Sequence, residues 1–427
     1  MISKYEQKSV LEESNQPATS SKMTLLSSGS NAQGQLGNGS LDDSHSFQAC
    51  SFFGERPQCL PWGTVDILKV AAGSNHTLVL LEKEDKSREL WGCGDGRKGQ
   101  LGCAYQQTIL QGGDPGLFRE IQLAFCDSGL DGYQCKLVAA TWETSFVVLS
   151  REGSTDILLS LGSDDYGDLG IAGLKKGAPQ KDFYIVDFSH LFPDQDILID
   201  TISTGQRQVI AKVRTTSSSY LVGWGASRHG QLGEPANVPF LASPRIVLLP
   251  GAVSSCSLGI QHTIVLHESG QLSALGSDRK GQLQVARNWS SQIQGIPQGI
   301  GCTWNGSYIL SEYERRWKIY SSGSDSHSQL GWKGSENAVQ FPRPLYCLDT
   351  TIDLACGSEH VLVLLTTTRL HCPTTEVWGW GWNEHGNLGL GHTNDVPVPV
   401  KLWSSEGNPR AVRIWGGLGT SWIYLKD

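Results

Sequence analysis

The chain has 427 residues, with 50 glycines and 14 tryptophans, and its 42 Asp and Glu outnumber 34 Lys and Arg for a net charge of −8. Nucleic-acid affinity depends on cations that neutralise phosphates, so this acidic balance disfavours direct nucleic-acid binding. No segment approaches the roughly 18 uninterrupted apolar residues of a membrane span, and we therefore expect no insertion into a membrane.

The first 22 residues form a polar segment with three Lys, three Glu and no apolar core of the kind found in signal peptides. This composition predicts a disordered tail over residues 1–22. Apolar runs then continue from residue 23 to residue 427, which we predict to be one domain.

A short phrase returns seven times in this domain: a glycine, four spacer residues, and a tetrad close to Gly-Gln-Leu-Gly. The copies begin at Gly29, Gly94, Gly162, Gly225, Gly276, Gly323 and Gly381. Their spacing of 47 to 68 residues predicts a radial array of similar units. The tetrad leucines are the predicted core anchors of these units: Leu36, Leu101, Leu169, Leu232, Leu283, Leu330 and Leu388. The glycine-rich stretch at 92–99 is thus a copy of the repeat and not a nucleotide-binding loop.

A second phrase alternates with the first, and VAAGSNHTLVL at 70–80 is typical of it. Its glycine lies 17 to 24 residues before the opening glycine of the next copy, and this steady distance indicates a β-hairpin of fixed length. Three copies carry a histidine, at His76, His262 and His360. Because these occupy equivalent positions in different units, we expect them to lie far apart and to hydrogen-bond local backbone, rather than to bind a metal.

The second phrase changes in two copies, where Thr141-Trp142 and Thr303-Trp304 replace the usual glycine and its neighbour. The repeat places both pairs on turns at one end of the domain. Each tryptophan is either buried under a neighbouring loop or exposed as an anchor for a partner protein, and the sequence gives the two interpretations equal weight.

The last copy is rich in tryptophan, because Trp378, Trp380 and Trp382 alternate through EVWGWGWNEHGNLG at 376–389. Alternate residues of a strand point to the same side, so we expect one or two of these rings in the core. Trp382 lies in the turn and is the predicted exposed ring, with Glu384 and His385 beside it. The predicted partner-binding residues are Trp142, Trp304, Trp382, Glu384 and His385.

Both phrases, in this order and in seven copies, resemble the repeats of the regulator of chromosome condensation family. The resemblance covers residues 23–427 and implies a seven-bladed β-propeller, an all-β fold with four strands in each blade. The last apolar run, at 421–427, lacks the second hairpin strand of the other copies. We predict that residues 23–30 supply that strand and close the ring, which removes exposed sheet edges.

The phrase at 379–389 is similar to the last blade of small family members that are little more than one propeller. The resemblance to fungal members of this kind implies a non-enzymatic scaffold in the cytoplasm and also the nucleus. Such a scaffold binds a small zinc-containing electron carrier that serves diphthamide synthesis and Elongator-dependent modification of the tRNA wobble uridine. A closed ring of this kind is expected to be monomeric.

The alternative is a guanine-nucleotide exchange factor for a small GTPase, which is the activity of the family's founder. An exchange factor of this family inserts an extended β-wedge, and the insertions at 38–70, 103–137 and 171–201 are long enough to hold one, although they look like ordinary loops. The chain shows no catalytic triad, Walker loop or zinc-ligand spacing, so we predict no catalytic residue, cofactor or metal. A basic cluster at Arg315, Arg316 and Lys318 is interpreted as a solvated strand edge rather than a nucleic-acid patch.

Overall fold

The computed structural model describes residues 23–123, 129–173, 181–233, 238–289, 295–332, 338–339, 341–342, 345–346, 350–368, 373–406 and 409–427. The predicted disordered tail at 1–22 lies outside these residues.

The described strands form seven antiparallel sheets arranged as the blades of a propeller. Two strands precede blade 1: β1 Met23–Gly29 and β2 Ser44–Ala49. Blade 1 contains β3 Thr64–Ala72, β4 His76–Lys83, β5 Arg88–Gly94 and β6 Arg119–Glu120. Blade 2 contains β7 Gln134–Ala140, β8 Thr144–Ser150, β9 Ile157–Gly162 and β10 Tyr184–Ile185. Blade 3 contains β11 Leu198–Thr204, β12 Gln208–Arg214, β13 Ser219–Ala226 and β14 Phe240–Ile246.

The second half of the ring repeats this order, from the innermost strand outwards. Blade 4 contains, in the described part of the chain, β15 Val253–Leu258, β16 His262–His267 and β17 Leu272–Gly276. Blade 5 contains β18 Ile296–Cys302, β19 Gly306–Tyr313, β20 Arg316–Gly323 and β21 Leu345–Tyr346. Blade 6 contains β22 Thr350–Cys356, β23 His360–Thr367, β24 Thr374–Gly381 and β25 Val396–Glu406. Blade 7 starts with β26 Arg410–Gly416 and β27 Thr420–Lys426.

Two short helices lie in the described parts of the loops after the tetrads. Helix α1 spans Cys103–Leu110, inside an insertion that the sequence does not distinguish from a loop. Helix α2 spans Gln284–Arg287 and begins where Gln284 replaces the last glycine of the fifth tetrad.

The N-terminal strand closes the ring, as predicted. Strand β1 pairs with β27 along its whole length, from Met23 opposite Lys426 to Gly29 opposite Thr420. Blade 7 therefore has the order β2-β1-β27-β26, and both ends of the chain contribute to one sheet. This closure pairs the edge that β27 would otherwise leave open.

The apolar core lies between neighbouring blades. One core cluster, for example, combines Leu78 and Leu80 of blade 1 with Val147 and Leu149 of blade 2. All seven tetrad leucines are at most 7% exposed, which confirms them as core anchors. Alternating residues of each strand thus pack one sheet face against the next blade, as in other stacked sheets.

The opening glycine of each tetrad phrase is required by the backbone. In all seven copies its φ lies between 89° and 130°. A Cβ atom would overlap a carbonyl oxygen of the neighbouring turn, that of Asn75 for Gly94 and of Glu143 for Gly162. The residue after the glycine donates its N–H to the same carbonyl, at 2.7 to 3.1 Å in the seven blades. Only glycine adopts this conformation without a steric penalty.

The repeat histidines join neighbouring blades, so the prediction that they bond local backbone was wrong. Each Nε2 lies 2.9 to 3.1 Å from a serine Oγ in the following blade, in the pairs His76–Ser145, His262–Ser307 and His360–Ser421. Each serine lies at the start of the second strand of the following blade. The pattern within one repeat therefore does not reveal this contact. Burial lowers the pKa of each of the three imidazoles to about 4, so they are neutral at physiological pH.

Candidate protein-binding site

The two Thr-Trp turns lie at the same end of the propeller, which we call the tryptophan face. This face consists of the turns between the first and second strands of each blade and of the tetrad loops that follow the third strands. Its turns are tied to one another around the axis by backbone hydrogen bonds. Trp142 accepts from Ser74 N at 3.0 Å and donates to Gln206 O at 2.8 Å, and Trp304 donates to Ser358 O at 2.6 Å.

A steric exchange within each turn explains why threonine replaces glycine in blades 2 and 5. In the Gly-x-x-His turns the imidazole folds back over the glycine, and a Cβ on Gly73, Gly259 or Gly357 would overlap the ring. Where threonine stands first, the fourth residue is small, namely Thr144 or Gly306. A histidine at the fourth position therefore requires glycine at the first, whereas blades 3 and 7 keep Gly205 and Gly417 with Gln208 and Thr420 in place of the histidine.

The structure brings Trp142 and Trp304 together although they belong to blades three apart. Their rings stack across the propeller axis, with centroids 6.1 Å apart and planes 30° from parallel. Both side chains are half-buried, so the pair is neither hidden under a loop nor fully exposed. The two interpretations left open by the sequence are thus replaced by a third arrangement, in which each tryptophan covers the other.

The stacked pair lies over the central channel. Directly beneath it a neck of about 100 Å³ is lined by residues of all seven blades, including Trp304, Leu258 and Gly417. Below the neck the channel widens to about 540 Å³, where Lys69, Asp353 and Arg413 are among the lining residues. The tryptophan pair therefore narrows one end of the channel and presents its outer edges to solvent.

Polar groups around the pair have unused hydrogen-bonding capacity. The indole Nε1 of Trp304 is buried without a hydrogen-bond partner among the described residues. The Arg207 guanidinium lies 5.9 Å from the Trp142 ring and 4.7 Å from the Tyr166 ring, and one of its nitrogens is 3.8 Å from Asp165. Because this N–H is buried, the surface that a partner can reach here consists of the exposed parts of the two indole rings and of the Arg207 side chain.

Two buried acids support the turns from below. Glu359 accepts from Asn305 at 2.6 Å and from Gln329 at 3.0 Å, and burial raises its pKa. Asp168 stands where most tetrads have glutamine and accepts from Thr144 Oγ1 at 3.0 Å, and burial also raises its pKa. These contacts fix the turns of blades 2 and 5 that carry the tryptophans.

The tryptophan-rich last copy of the repeat lies in blade 6, and its residues form a separate cluster on the same face. Trp378 and Trp380 are 7% and 0% exposed, as expected for core rings, whereas Trp382 is half-buried in the turn. The Trp382 ring packs edge-on against His327 and His385, with centroids 6.1 and 5.3 Å away. No ring contact within the described residues joins this cluster to the Trp142–Trp304 pair.

The two polar neighbours of Trp382 differ in their environment. His385 Nδ1 lies 2.6 Å from Asp43 Oδ2, across the boundary between blade 6 and blade 7. Glu384 is exposed. The predicted set is thus divided, with two residues at the axis and three at this boundary.

Within the described ranges, no three His, Cys, Asp or Glu side chains are grouped to hold a metal ion. No helix in the same ranges is long and apolar enough to cross a membrane. What the tryptophan face does present is the exposed parts of aromatic rings and a guanidinium group, which are typical of protein interfaces.

Comparison with protein families gives matches to two related models. A model described as the Regulator of chromosome condensation (RCC1) repeat matches residues 24–80 and 376–421. A second model of the same description matches residues 67–100. The matched ranges include the tryptophan-rich segment of blade 6 and most of the strand β1 that closes the ring.

Relatives of similar length match nearly the whole chain. The mouse secretion-regulating guanine nucleotide exchange factor is 26% identical, and the match covers 94% of this chain and 83% of the relative. An RCC1 repeat-containing protein of Schizosaccharomyces pombe is 27% identical, with 94% and 99% covered.

Solved structures show the same fold. Prp20p from Saccharomyces cerevisiae, whose structure was described with its binding to Gsp1p and histones, has a TM-score of 0.69 at 19% identity, over 95% of this chain and 92% of its own. Human WBSCR16 has a TM-score of 0.65 at 18% identity, over 96% and 100%. These likenesses confirm the seven-bladed propeller.

Proposed function

Because the chain belongs to the regulator of chromosome condensation (RCC1) repeat family, we propose that it is a non-enzymatic propeller scaffold that binds a protein partner on its tryptophan face. The stacked, half-buried pair of Trp142 and Trp304 is the observation that carries this proposal. Interface anchors are enriched in tryptophan and arginine, and the pair lies beside Arg207. Trp382, Glu384 and His385 form a second contact region in the proposal, at the boundary of blades 6 and 7.

The first candidate partner is a small zinc-binding electron carrier of diphthamide synthesis and tRNA wobble-uridine modification. Its support is the resemblance of the segment at 379–389 to the last blade of small fungal propellers. A scaffold for such a carrier needs no catalytic residue of its own. We also propose that the chain is located in the cytoplasm and in the nucleus, where it would encounter this carrier and its target enzymes.

The second candidate function is guanine-nucleotide exchange on a small GTPase. It is favoured by the names of the mouse and bovine relatives, both called secretion-regulating guanine nucleotide exchange factor. The description of Prp20p with Gsp1p supports the same class. A guanine-nucleotide exchange factor acts by binding and remodelling the GTPase and needs no acid–base pair of its own. Catalytic side chains therefore do not distinguish the two functions.

Affinity purification of the tagged full-length chain, followed by quantitative mass spectrometry, separates the candidates. The scaffold function predicts stoichiometric recovery of a small zinc protein that survives addition of GDP and GTP. Recovery of a small GTPase that is released by added nucleotide, with no zinc protein, would replace it with the exchange function. Release of a fluorescent GDP analogue from that GTPase, accelerated at least about tenfold by the chain, would then measure the activity directly.

A further inference from the structure

Exposed cations without an ion pair among the described residues lie on one arc of the tryptophan face, whereas the exposed Arg97 of the blade 1 tetrad loop is paired with Asp95. The tetrad loop of blade 3 carries Arg228, and that of blade 4 carries Arg279 and Lys280, all three exposed. None of these three side chains has an ion pair or hydrogen bond within the described residues. With Arg207 on the blade 3 turn, they form what we call the cationic arc.

The members of the arc lie close enough to interact electrostatically. The pKa of His229 is lowered, first by partial burial and then by the charges of Arg279 and Arg228. Arg228 and Arg279 come from neighbouring blades, and Thr263 Oγ1 of blade 4 donates to Gln231 O in the blade 3 tetrad at 2.8 Å, which holds this loop beside blade 4. Arg207 has Asp165 as a partner at 3.8 Å, but Arg228, Arg279 and Lys280 have none among the described residues, and like charges held together in this way raise the local potential and favour an anionic ligand.

The position of the arc relative to the tryptophans is set by the blade order. Trp142 stands in blade 2 and Trp304 in blade 5, and blades 3 and 4 lie between them around the ring. Arg207 connects the two features, since its guanidinium lies 5.9 Å from the Trp142 ring. The aromatic pair and the charges therefore form one continuous surface.

The other side of the same face has the opposite character. Asp42 and Glu384 are exposed in the loops of blades 7 and 6, while Asp43 and Asp395 face His385 and His327. The whole chain is acidic, with a net charge of −8. A uniform polyanion such as duplex nucleic acid would meet repulsion across half of this face, whereas a short acidic protein segment would not.

We propose that the cationic arc binds an acidic segment of the partner protein, beside an apolar or aromatic side chain that contacts the Trp142–Trp304 pair. The inference rests on the proposed protein-binding function and adds the chemistry of the partner. Carboxylates of the segment pair with Arg228, Arg279 and Lys280, which have no counter-ion in the described part of the chain. The unpaired charges contribute to association rate and orientation, and the tryptophan pair contributes the desolvated contact.

The test uses a labelled peptide with six glutamates around one phenylalanine, and a matched peptide with six glutamines. Fluorescence anisotropy with the full chain is expected to show the glutamate peptide binding at least about tenfold tighter at low salt. Raising the ionic strength to about 0.5 M should remove most of that difference, because exposed charges are then screened.

Charge reversal locates the binding. Arg228→Glu with Arg279→Glu and Lys280→Glu should weaken the glutamate peptide at least about tenfold. Arg315→Glu with Arg316→Glu and Lys318→Glu is the matched control, because it changes the net charge equally at the opposite end of the propeller, and it should leave the affinity unchanged. Circular dichroism of both variants confirms that the propeller is intact.

Three outcomes would overturn the inference: equal affinity for the two peptides, no binding of the glutamate peptide, or equal losses in both triple variants. Tighter binding of a duplex DNA that is lost in the first triple variant would assign the arc to nucleic acid instead. The proposed function is tested separately, and it fails if the chain carrying both Trp142→Ala and Trp304→Ala still binds the natural partner. If that double variant loses the partner while peptide binding does not depend on the cationic arc, the tryptophan face remains the proposed binding site and only the acidic segment is refuted.

Discussion

The turns of blades 1, 4 and 6 and those of blades 2 and 5 solve the same backbone problem with different side chains. In the first group a glycine makes room for a buried histidine, which reaches a serine of the next blade. In the second group a threonine replaces the glycine, a small residue replaces the histidine, and a tryptophan projects towards the axis. The backbone path is the same in both groups. In each, the carbonyl of the third turn residue accepts the N–H of the residue that follows the opening glycine of the tetrad phrase.

This difference teaches that departures from a repeat have to be interpreted in pairs. Thr141 taken alone suggests a weakened turn, and Trp142 taken alone suggests an irregular surface residue. Together with Thr144, they form an alternative turn that leaves the frame intact and adds an aromatic ring. Residues that vary within an invariant frame are candidates for function, because the frame does not need them.

The coupling between the two turn types gives the largest expected effect. Gly259→Thr should place a Cβ atom into the His262 ring and destabilise the propeller by about 3 kcal/mol. Adding His262→Gly, which reproduces the pairing of Thr303 with Gly306, should recover part of this loss, with a coupling of about 1–3 kcal/mol. Chemical denaturation of the two single variants and the double variant measures the cycle.

Strict additivity in that cycle would contradict the steric account. Gly270→Thr is a suitable control for the insertion of threonine, since a Cβ atom there meets nothing within 4 Å. Its φ of 79° adds a backbone strain that Gly259 does not have, so a smaller loss of stability at Gly270 than at Gly259 assigns the difference to steric overlap in the turn.

The buried histidines predict a smaller, pH-dependent effect. The pKa of His262 is about 4 in the folded chain against an ordinary value of 6.5, so between these values the unfolded chain binds a proton that the native chain does not. The stabilisation is complete above pH 6.5 and is lost as the pH falls towards 4. At pH 5 this one residue should cost about 2 kcal/mol relative to neutral pH.

His262→Gln isolates that contribution, because the equivalent Gln208 of blade 3 occurs naturally and bonds the next blade through Gly259 O. The difference in unfolding free energy between wild type and His262→Gln should shrink by about 2 kcal/mol from pH 7.5 to pH 5. The acids with raised pKa values, such as Glu359, are common to both chains and cancel in this difference. A difference that stays constant over the range would show that His262 titrates normally in the folded chain.

Much of the fold is predictable from the sequence because the repeat states the same local rule seven times. The tetrad leucines, the hairpins and the closure of the ring by residues 23–30 all follow from one alternation of two phrases. Helix α1 was not predicted, because the segment Cys103–Leu110 lies in the insertion of one copy and the repeat gives no rule for it. The serine partners of the histidines were also missed, because the contact joins different blades.

The candidate site was only partly predictable. The repeat places Trp142 and Trp304 at one end, but nothing local indicates that rings from blades 2 and 5 stack across the axis. The sequence does contain a signal for the cationic arc, because Arg228, Arg279 and Lys280 occupy adjacent spacer positions in the phrases of two consecutive blades. Convergence of those positions becomes visible only once the ring is closed. Whether Trp382, Glu384 and His385 contact a partner stays a prediction.

The most direct test of the central claim is the affinity of the purified natural partner for Trp142→Ala with Trp304→Ala. Ring stacking contributes about 0.5–1.5 kcal/mol, so the account predicts a small change in stability. It predicts at the same time a loss of at least about 2 kcal/mol in binding, measured by calorimetry, with Trp62→Ala, an 82% exposed ring outside this face, as the unaffected control. Unchanged affinity in the double variant, or collapse of its fold, would contradict the assignment of the tryptophan face as the binding site.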